Sequence, residues 1–204
     1  MKKILRVTAA LPLFISPLAM AGENVPDRYG YIGGHASYYT FYDNDVIGNG
    51  VDGLDDVPFY GGQLGWRFHP NWSVQGWYDE VEGDAESQYD SGRRVDMTNY
   101  FVSGRYHFND TSLLGFEPYA GINVGEQYIE SLNNPNSDKN DELMTGVELG
   151  VQRAFFKHVI LDLGTRHAYS TDREYWEGQV YAGLNLAFGI SNDSDDSAED
   201  EVVA

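Results

Sequence analysis

Gln179-Val180-Tyr181-Ala182-Gly183-Leu184-Asn185-Leu186-Ala187-Phe188, near the C-terminal end of the chain, decides the fold class. Successive side chains of a strand point to opposite faces. Val180, Ala182, Leu184, Leu186 and Phe188 therefore make one wholly apolar face, and Gln179, Tyr181, Gly183, Asn185 and Ala187 make a mixed one. An amphipathic helix would repeat its apolar positions every three or four residues, which this stretch does not do. The period of two recurs upstream. Tyr60, Gly62, Leu64, Trp66 and Phe68 alternate with Gly61, Gln63, Gly65 and Arg67. Tyr100, Val102, Gly104, Tyr106 and Phe108 alternate with Phe101, Ser103, Arg105 and His107, and Val147, Leu149 and Val151 with Glu148, Gly150 and Gln152.

Eight such stretches are legible, near 28–42, 59–69, 71–82, 95–108, 116–129, 142–155, 158–170 and 175–189. Alternation suits a soluble β-sandwich as well as a barrel, and the connections separate the two. Those after the first, third and fifth stretches are long and polar. Those after the second (His69-Pro70-Asn71), fourth (Asn109 to Gly115) and sixth (Phe156-Lys157) are short. Transmembrane barrels have this asymmetry, tight turns on the periplasmic side and longer loops outside. Aromatic residues stand where interface girdles belong: Phe68, Trp72 and Phe108 beside the short turns, Tyr38, Tyr42, Tyr78 and Trp176 near the long loops. The expected fold is all-β, an eight-stranded antiparallel up-and-down transmembrane β-barrel.

The ends of the chain agree. Met1-Lys2-Lys3-Ile4-Leu5-Arg6 opens a short apolar stretch broken by Pro12 and Pro17 and ending in Ala19-Met20-Ala21, the pattern of a secretory signal peptide cleaved after Ala21. No later apolar run approaches the roughly 20 residues of a spanning helix. The expected organisation is a signal peptide over 1–21, a barrel domain over 22–190 and an acidic, disordered tail over 191–204. The 13 basic and 32 acidic residues give a net charge of −19, and loss of Lys2, Lys3 and Arg6 leaves 10 basic residues and about −22. Such a balance argues against nucleic acid as a partner. With no cysteine, neither disulfides nor Cys-ligated metal can contribute.

From Tyr29 to Phe188 the order of stretches resembles the N-terminal transmembrane domain of the OmpA and OprF family. Tyr60-Gly61-Gly62-Gln63-Leu64-Gly65-Trp66, His69-Pro70-Asn71, Val74-Gln75-Gly76-Trp77-Tyr78 and Glu117-Pro118-Tyr119-Ala120-Gly121 carry the likeness. Tyr181 to Phe188 looks like the C-terminal β-signal read by the outer-membrane assembly machinery, with Tyr181, Gly183, Leu186 and Phe188 at its marked positions. The resemblance implies a cell outer-membrane location, with outer-membrane lipids and lipopolysaccharide as surroundings and the assembly machinery as partner during insertion. Full-length family members continue into a periplasmic peptidoglycan-binding domain. This chain ends after the acidic tail, so cell-wall anchoring is not carried over.

Candidate chemistry lies in the barrel interior, where the inward list includes Arg67, Gln75, Arg105, Glu148, Gln152, Asp162 and Arg166. Eight strands leave an interior just wide enough for side chains to fill. These charges are expected to pair across the lumen as a plug, resembling the family's ion-paired interior, with a narrow channel for small solutes as the alternative. A lipid-A-deacylase-like enzyme would want His and Ser on one strand face. His167-Ala168-Tyr169-Ser170 separates them by three, so no catalytic residue and no cofactor is expected. The loop carrying Asp43, Asp45, Asp52, Asp55 and Asp56 begins like a calcium loop, but Ile47 and Leu54 stand where ligands belong. His35, His69, His107 and His158 show no metal-ligand spacing. A structural and membrane-integrity role with surface interaction is the leading expectation. An adhesin or receptor would act through loops 43–58, 83–94 and 130–141, whose sequences name no ligand.

Overall fold

The structure, a computed structural model, describes residues 22–23, 25–41, 58–85, 93–131, 140–155, 158–172 and 175–191. They form eight long antiparallel strands: β1 (Arg28–Phe41), β2 (Pro58–His69), β3 (Trp72–Ala85), β4 (Arg93–His107), β5 (Glu117–Ser131), β6 (Asn140–Phe155), β7 (Val159–Ser170) and β8 (Trp176–Ser191). Each pairs with its sequence neighbours, and β8 returns to β1 from Phe41↔Glu177 down to Arg28↔Ser191, closing the sheet. This is the expected up-and-down barrel.

The two faces follow the alternation in the sequence. Ile32, Leu64, Trp66, Val102, Ile122, Val147, Leu149, Val180, Leu184, Leu186 and Phe188 lie exposed on the outer wall. In water so much apolar surface would be untenable, whereas in a bilayer it is the required lipid face. Trp72 stacks edge-on against Tyr106, and Tyr106 against Phe108, at the short-turn end. Tyr78, Tyr100 and Tyr128 form a ladder toward the other end. The tyrosines and tryptophans thus gather at two levels, as interface girdles require.

At the outer end the strands run beyond their expected limits. Gly83, Asp84 and Ala85 pair with Val95, Arg94 and Arg93, so parts of the segments read as loops 83–94 and 130–141 are strand. The reason is physical: above the hydrocarbon both faces meet polar surroundings, so backbone pairing continues with no apolar alternation to betray it. β8 likewise reaches Ser191, one residue into the segment read as tail. Loop residues 42–57, the signal segment 1–21 and the tail residues 192–204 lie outside the described residues.

The inner end is more elaborate than short turns. Between β4 and β5, Leu113 and Phe116 bridge across Leu114 (φ 55°) and Gly115 (φ 80°), the two left-handed positions of a tight hairpin turn. Before β1, Gly22 and Glu23 pair with Phe155 and Ala154 of β6. Gly22 and Glu23 on β6 and the residues from Val25 into β1 therefore lie at this end of the barrel. Val25 packs there against Tyr29, Tyr31, Ala154, Ile160 and Ala187.

Candidate functional site in the barrel lumen

Every second residue of each strand points into the lumen, and hydrogen bonding joins these side chains in three tiers. In the tier nearest the short turns, Arg67 from β2 holds both carboxylate oxygens of Glu117 from β5, at 2.7 and 3.2 Å, and also donates to the carbonyl of Pro70. Gln152 Nε2 donates to Glu117 Oε1 at 2.8 Å, and His107 stands 3.1 Å from that oxygen and 2.7 Å from Ser73 Oγ. Tyr29 donates to Gln152 from the first residues of β1.

The middle tier spans the barrel. Arg105 on β4 donates from Nε to Glu148 Oε1 at 2.6 Å and from a terminal nitrogen to Asp162 Oδ2 at 2.9 Å. The second oxygen of Glu148 accepts from Arg166 at 3.3 Å. Glu148 thus bridges two guanidinium groups that are themselves fully buried. Each arginine also lies over aromatic faces: Arg105 is 4.4 Å from the Tyr119 centroid, and Arg166 is 4.4 Å from that of Trp77 and 4.6 Å from that of Phe101. Tyr119 donates to Asp162 and meets the Tyr181 hydroxyl. On the facing wall Tyr31 donates to Gln75, Gln75 to Gln63 and Gln63 to Asn185.

Toward the long loops Asp79 accepts from Tyr39 at 2.8 Å and Gln179 at 3.3 Å and touches His35. Gln127 donates to Glu177 at 3.0 Å, and Ser170 to Glu142 at 2.6 Å. The charges of the middle tier satisfy one another inside a low-dielectric space. Removing one partner would strand the other, which typically costs about 3–5 kcal/mol.

All seven interior residues singled out in the sequence, Arg67, Gln75, Arg105, Glu148, Gln152, Asp162 and Arg166, are buried in the lumen. Arg105, Glu148, Asp162 and Arg166 share one cluster, Arg67 and Gln152 meet through Glu117, and Gln75 belongs to the amide chain. Sequence reading missed Asp79, Glu117, Glu142 and Glu177, and for His35 and His107 it noted only that they show no metal-ligand spacing. Extending the same period of two, Gln75-Trp77-Asp79 and Glu177-Gln179, would have found the first and last. Of the four β-signal positions, Tyr181 and Gly183 face the lumen, whereas Leu186 and Phe188 face outward. His167 and Ser170 stand on opposite faces, His167 exposed on the outer wall and Ser170 buried inside. The Oγ of Ser103 and the amide of Asn123, paired residues on β4 and β5, have no hydrogen-bond partner among the described residues. A closed sheet with an apolar outer wall and an ion-paired lumen is the architecture of a bacterial outer-membrane protein. A family profile described as "Outer membrane protein beta-barrel domain" matches residues 7–198.

The chain belongs to that outer-membrane barrel family.

This outer-membrane barrel resides in the cell outer membrane. Among solved structures it is similar to Neisserial surface protein A (17% identity, TM-score 0.55, covering 78% of this chain and 97% of that one). It is also similar to OprG from Pseudomonas aeruginosa (12% identity, TM-score 0.53, covering 79% and 97%). The N-terminal barrel domain of OprF from the same organism aligns at 16% identity with a TM-score of 0.49, covering 81% and 99%. Identities this low speak to the fold alone. No curated protein matches the outer-membrane barrel in sequence.

Proposed function

We propose that this outer-membrane barrel is a closed structural element that supports membrane integrity and presents its long connections as a surface for an external ligand. One observation carries the reading: Glu148 ties Arg105 and Arg166 together across the lumen, with Asp162, Tyr119, Trp77 and Phe101 filling the space around them. Charges satisfied in this way hold the opposing walls together and occupy the route a solute would take. Outer-membrane lipids and lipopolysaccharide surround the wall, and the β-signal at Tyr181, Gly183, Leu186 and Phe188 engages the assembly machinery. Binding falls to the connections around 43–58, 83–94 and 130–141, because loops vary on a rigid scaffold. A narrow channel is the second reading. It is favoured by Ser103 and Asn123, whose unpaired buried polar atoms call for water on the β4–β5 wall. Single-channel recording of refolded protein in planar bilayers separates the two. A quiet bilayer is expected of the closed element, and large, steady openings would replace that reading with the channel.

A further inference from the structure

At the short-turn end the lumen brings together a hydroxyl, an imidazole and a carboxylate. Ser73, the first inward residue of β3, pairs with Arg105, and His107, the last residue of β4, lies two positions further along the same inner face. Ser73 Oγ is 2.7 Å from His107 Nε2. On the other side of the ring Nδ1 is 3.1 Å from Oε1 of Glu117, the first residue of β5, and Arg67 fixes that carboxylate by holding both of its oxygens. In this order the three groups are the nucleophile, base and orienting group of acyl-transfer enzymes. His167 and Ser170 on one strand face apart, whereas two neighbouring strands bring Ser73 and His107 together.

Two further features fit. Directly opposite Ser73 on β2 stands Arg67, whose buried Nε has no hydrogen-bond partner among the described residues. An N–H left over beside a nucleophile can receive the oxyanion of a tetrahedral intermediate. Glu117 stands at the rim with its side chain 11% exposed, and it borders a pocket of about 200 Å³ lined also by Asn109, Thr111, Ser112 and Phe116. That volume is below the roughly 300 Å³ at which sites for drug-sized ligands begin, and its hydroxyl and amide lining suits a polar alcohol. We propose that Ser73, His107 and Glu117 form an esterase site at the short-turn end, the periplasmic side of such barrels, for short acyl esters of hydroxyl-rich alcohols such as O-acetylated sugars. His107 Nε2 takes the hydroxyl proton as Ser73 Oγ bonds to the carbonyl carbon, and Arg67 Nε–H meets the oxyanion. The bond to the alcohol breaks, and the alcohol leaves with the proton from His107. Water, deprotonated by His107 in turn, releases the acid and restores Ser73. The chemistry needs the Nδ1 proton turned toward Glu117. Gln152 Nε2, 2.9 Å from Nδ1, competes by donating to it. A closed or a conducting middle tier leaves this site as it is.

A fluorophosphonate probe applied to the refolded full chain in detergent tests the site, with the labelled residue located by peptide mass spectrometry. Label on Ser73 is expected, accompanied by hydrolysis of p-nitrophenyl acetate, and both are expected to disappear in Ser73→Ala and in His107→Gln. In Glu117→Gln the labelling rate at saturating probe is expected to fall about a hundredfold with probe affinity unchanged, because the imidazole loses its orienting charge. In Gln152→Leu that rate is expected to rise, since the competing donor is gone. No label on the unaltered, folded protein overturns the proposal whether or not any variant folds. So does label on a residue other than Ser73, or an undiminished saturating rate in a Glu117→Gln protein that keeps heat-dependent gel mobility.

Discussion

The ring of Tyr181 lies across Gly164, the residue directly opposite it on β7, so that a Cβ there would sit 2.6 Å from the ring and 2.8 Å from the carbonyl oxygen of Leu149. Tyr31 covers Gly65 and Tyr119 covers Gly150 in the same way, each across one paired position. An aromatic residue laid over a glycine restores the packing that the missing side chain leaves open. Gly164→Ala is expected to destabilise the refolded barrel by about 2 kcal/mol, the typical cost of overpacking. Gly104→Ala on the outer wall, where a Cβ meets nothing within 4 Å, is expected to shift stability by less than about 0.5 kcal/mol. Urea midpoints in lipid vesicles compare them, and equal losses would show that the glycine serves backbone shape alone.

Glu148 accepts from Arg105 and Arg166 together, so replacing it affects two buried cations. Glu148→Gln is expected to cost about 3 kcal/mol, because Arg166 loses its carboxylate partner and keeps the hydrogen bond to Gln179 and two ring faces. Combining it with Arg166→Met is expected to recover part of that loss. A double-mutant cycle in urea measures the coupling, expected at about 1–3 kcal/mol. Additive losses would mean that the two groups do not share one network.

Leu114 holds a left-handed backbone at φ 55° and is 89% exposed. A left-handed residue with a branched apolar side chain costs roughly 1–2 kcal/mol, and asparagine tolerates that region better. Leu114→Asn is expected to stabilise the barrel by about 1 kcal/mol, read as a higher urea midpoint at constant slope. A lower midpoint would show that the leucine makes a favourable contact with the membrane surface.

Phe188 lies over Gly30 at the seam where β8 meets β1. If its main role is in recognition by the assembly machinery, Phe188→Ala lowers the amount of protein in the outer membrane several-fold while spontaneous refolding yield in detergent is unchanged. Quantitative blotting of membrane fractions beside a refolding gel separates the effects. A parallel drop in both would assign the ring to seam packing.

Much of this barrel was legible because one physical rule, the period of two, governs every strand within the hydrocarbon. Val180 to Phe188 and Tyr60 to Phe68 are sorted by it without error, and so are Arg105 and Glu148 on the inner face. The rule goes silent where the surroundings stop being asymmetric. Gly83 to Ala85 pair with Arg93 to Val95, where no apolar alternation in the sequence marks a strand. Partners across the lumen were hidden for another reason. That Arg67 meets Glu117 rather than Glu148 depends on strand tilt and stagger, which set height inside the barrel and leave no trace in local sequence. Asp79 and Glu177 were on the correct face but lay beyond the apolar alternation that drew the eye.

The pairing of Gly22 and Glu23 with β6 bears on how the barrel could come apart. A closed meander has one weak line, the β1–β8 seam, because those strands are joined by no short connection. The segment leading into β1 is anchored on the far side at Phe155 and Ala154. Opening the seam from below would first require that anchor to release, so unzipping should start at the outer rim and travel inward. The pairing of Gly22 and Glu23 thus acts as a latch on the order of events in unfolding, giving the barrel a polarity in time as well as in the membrane.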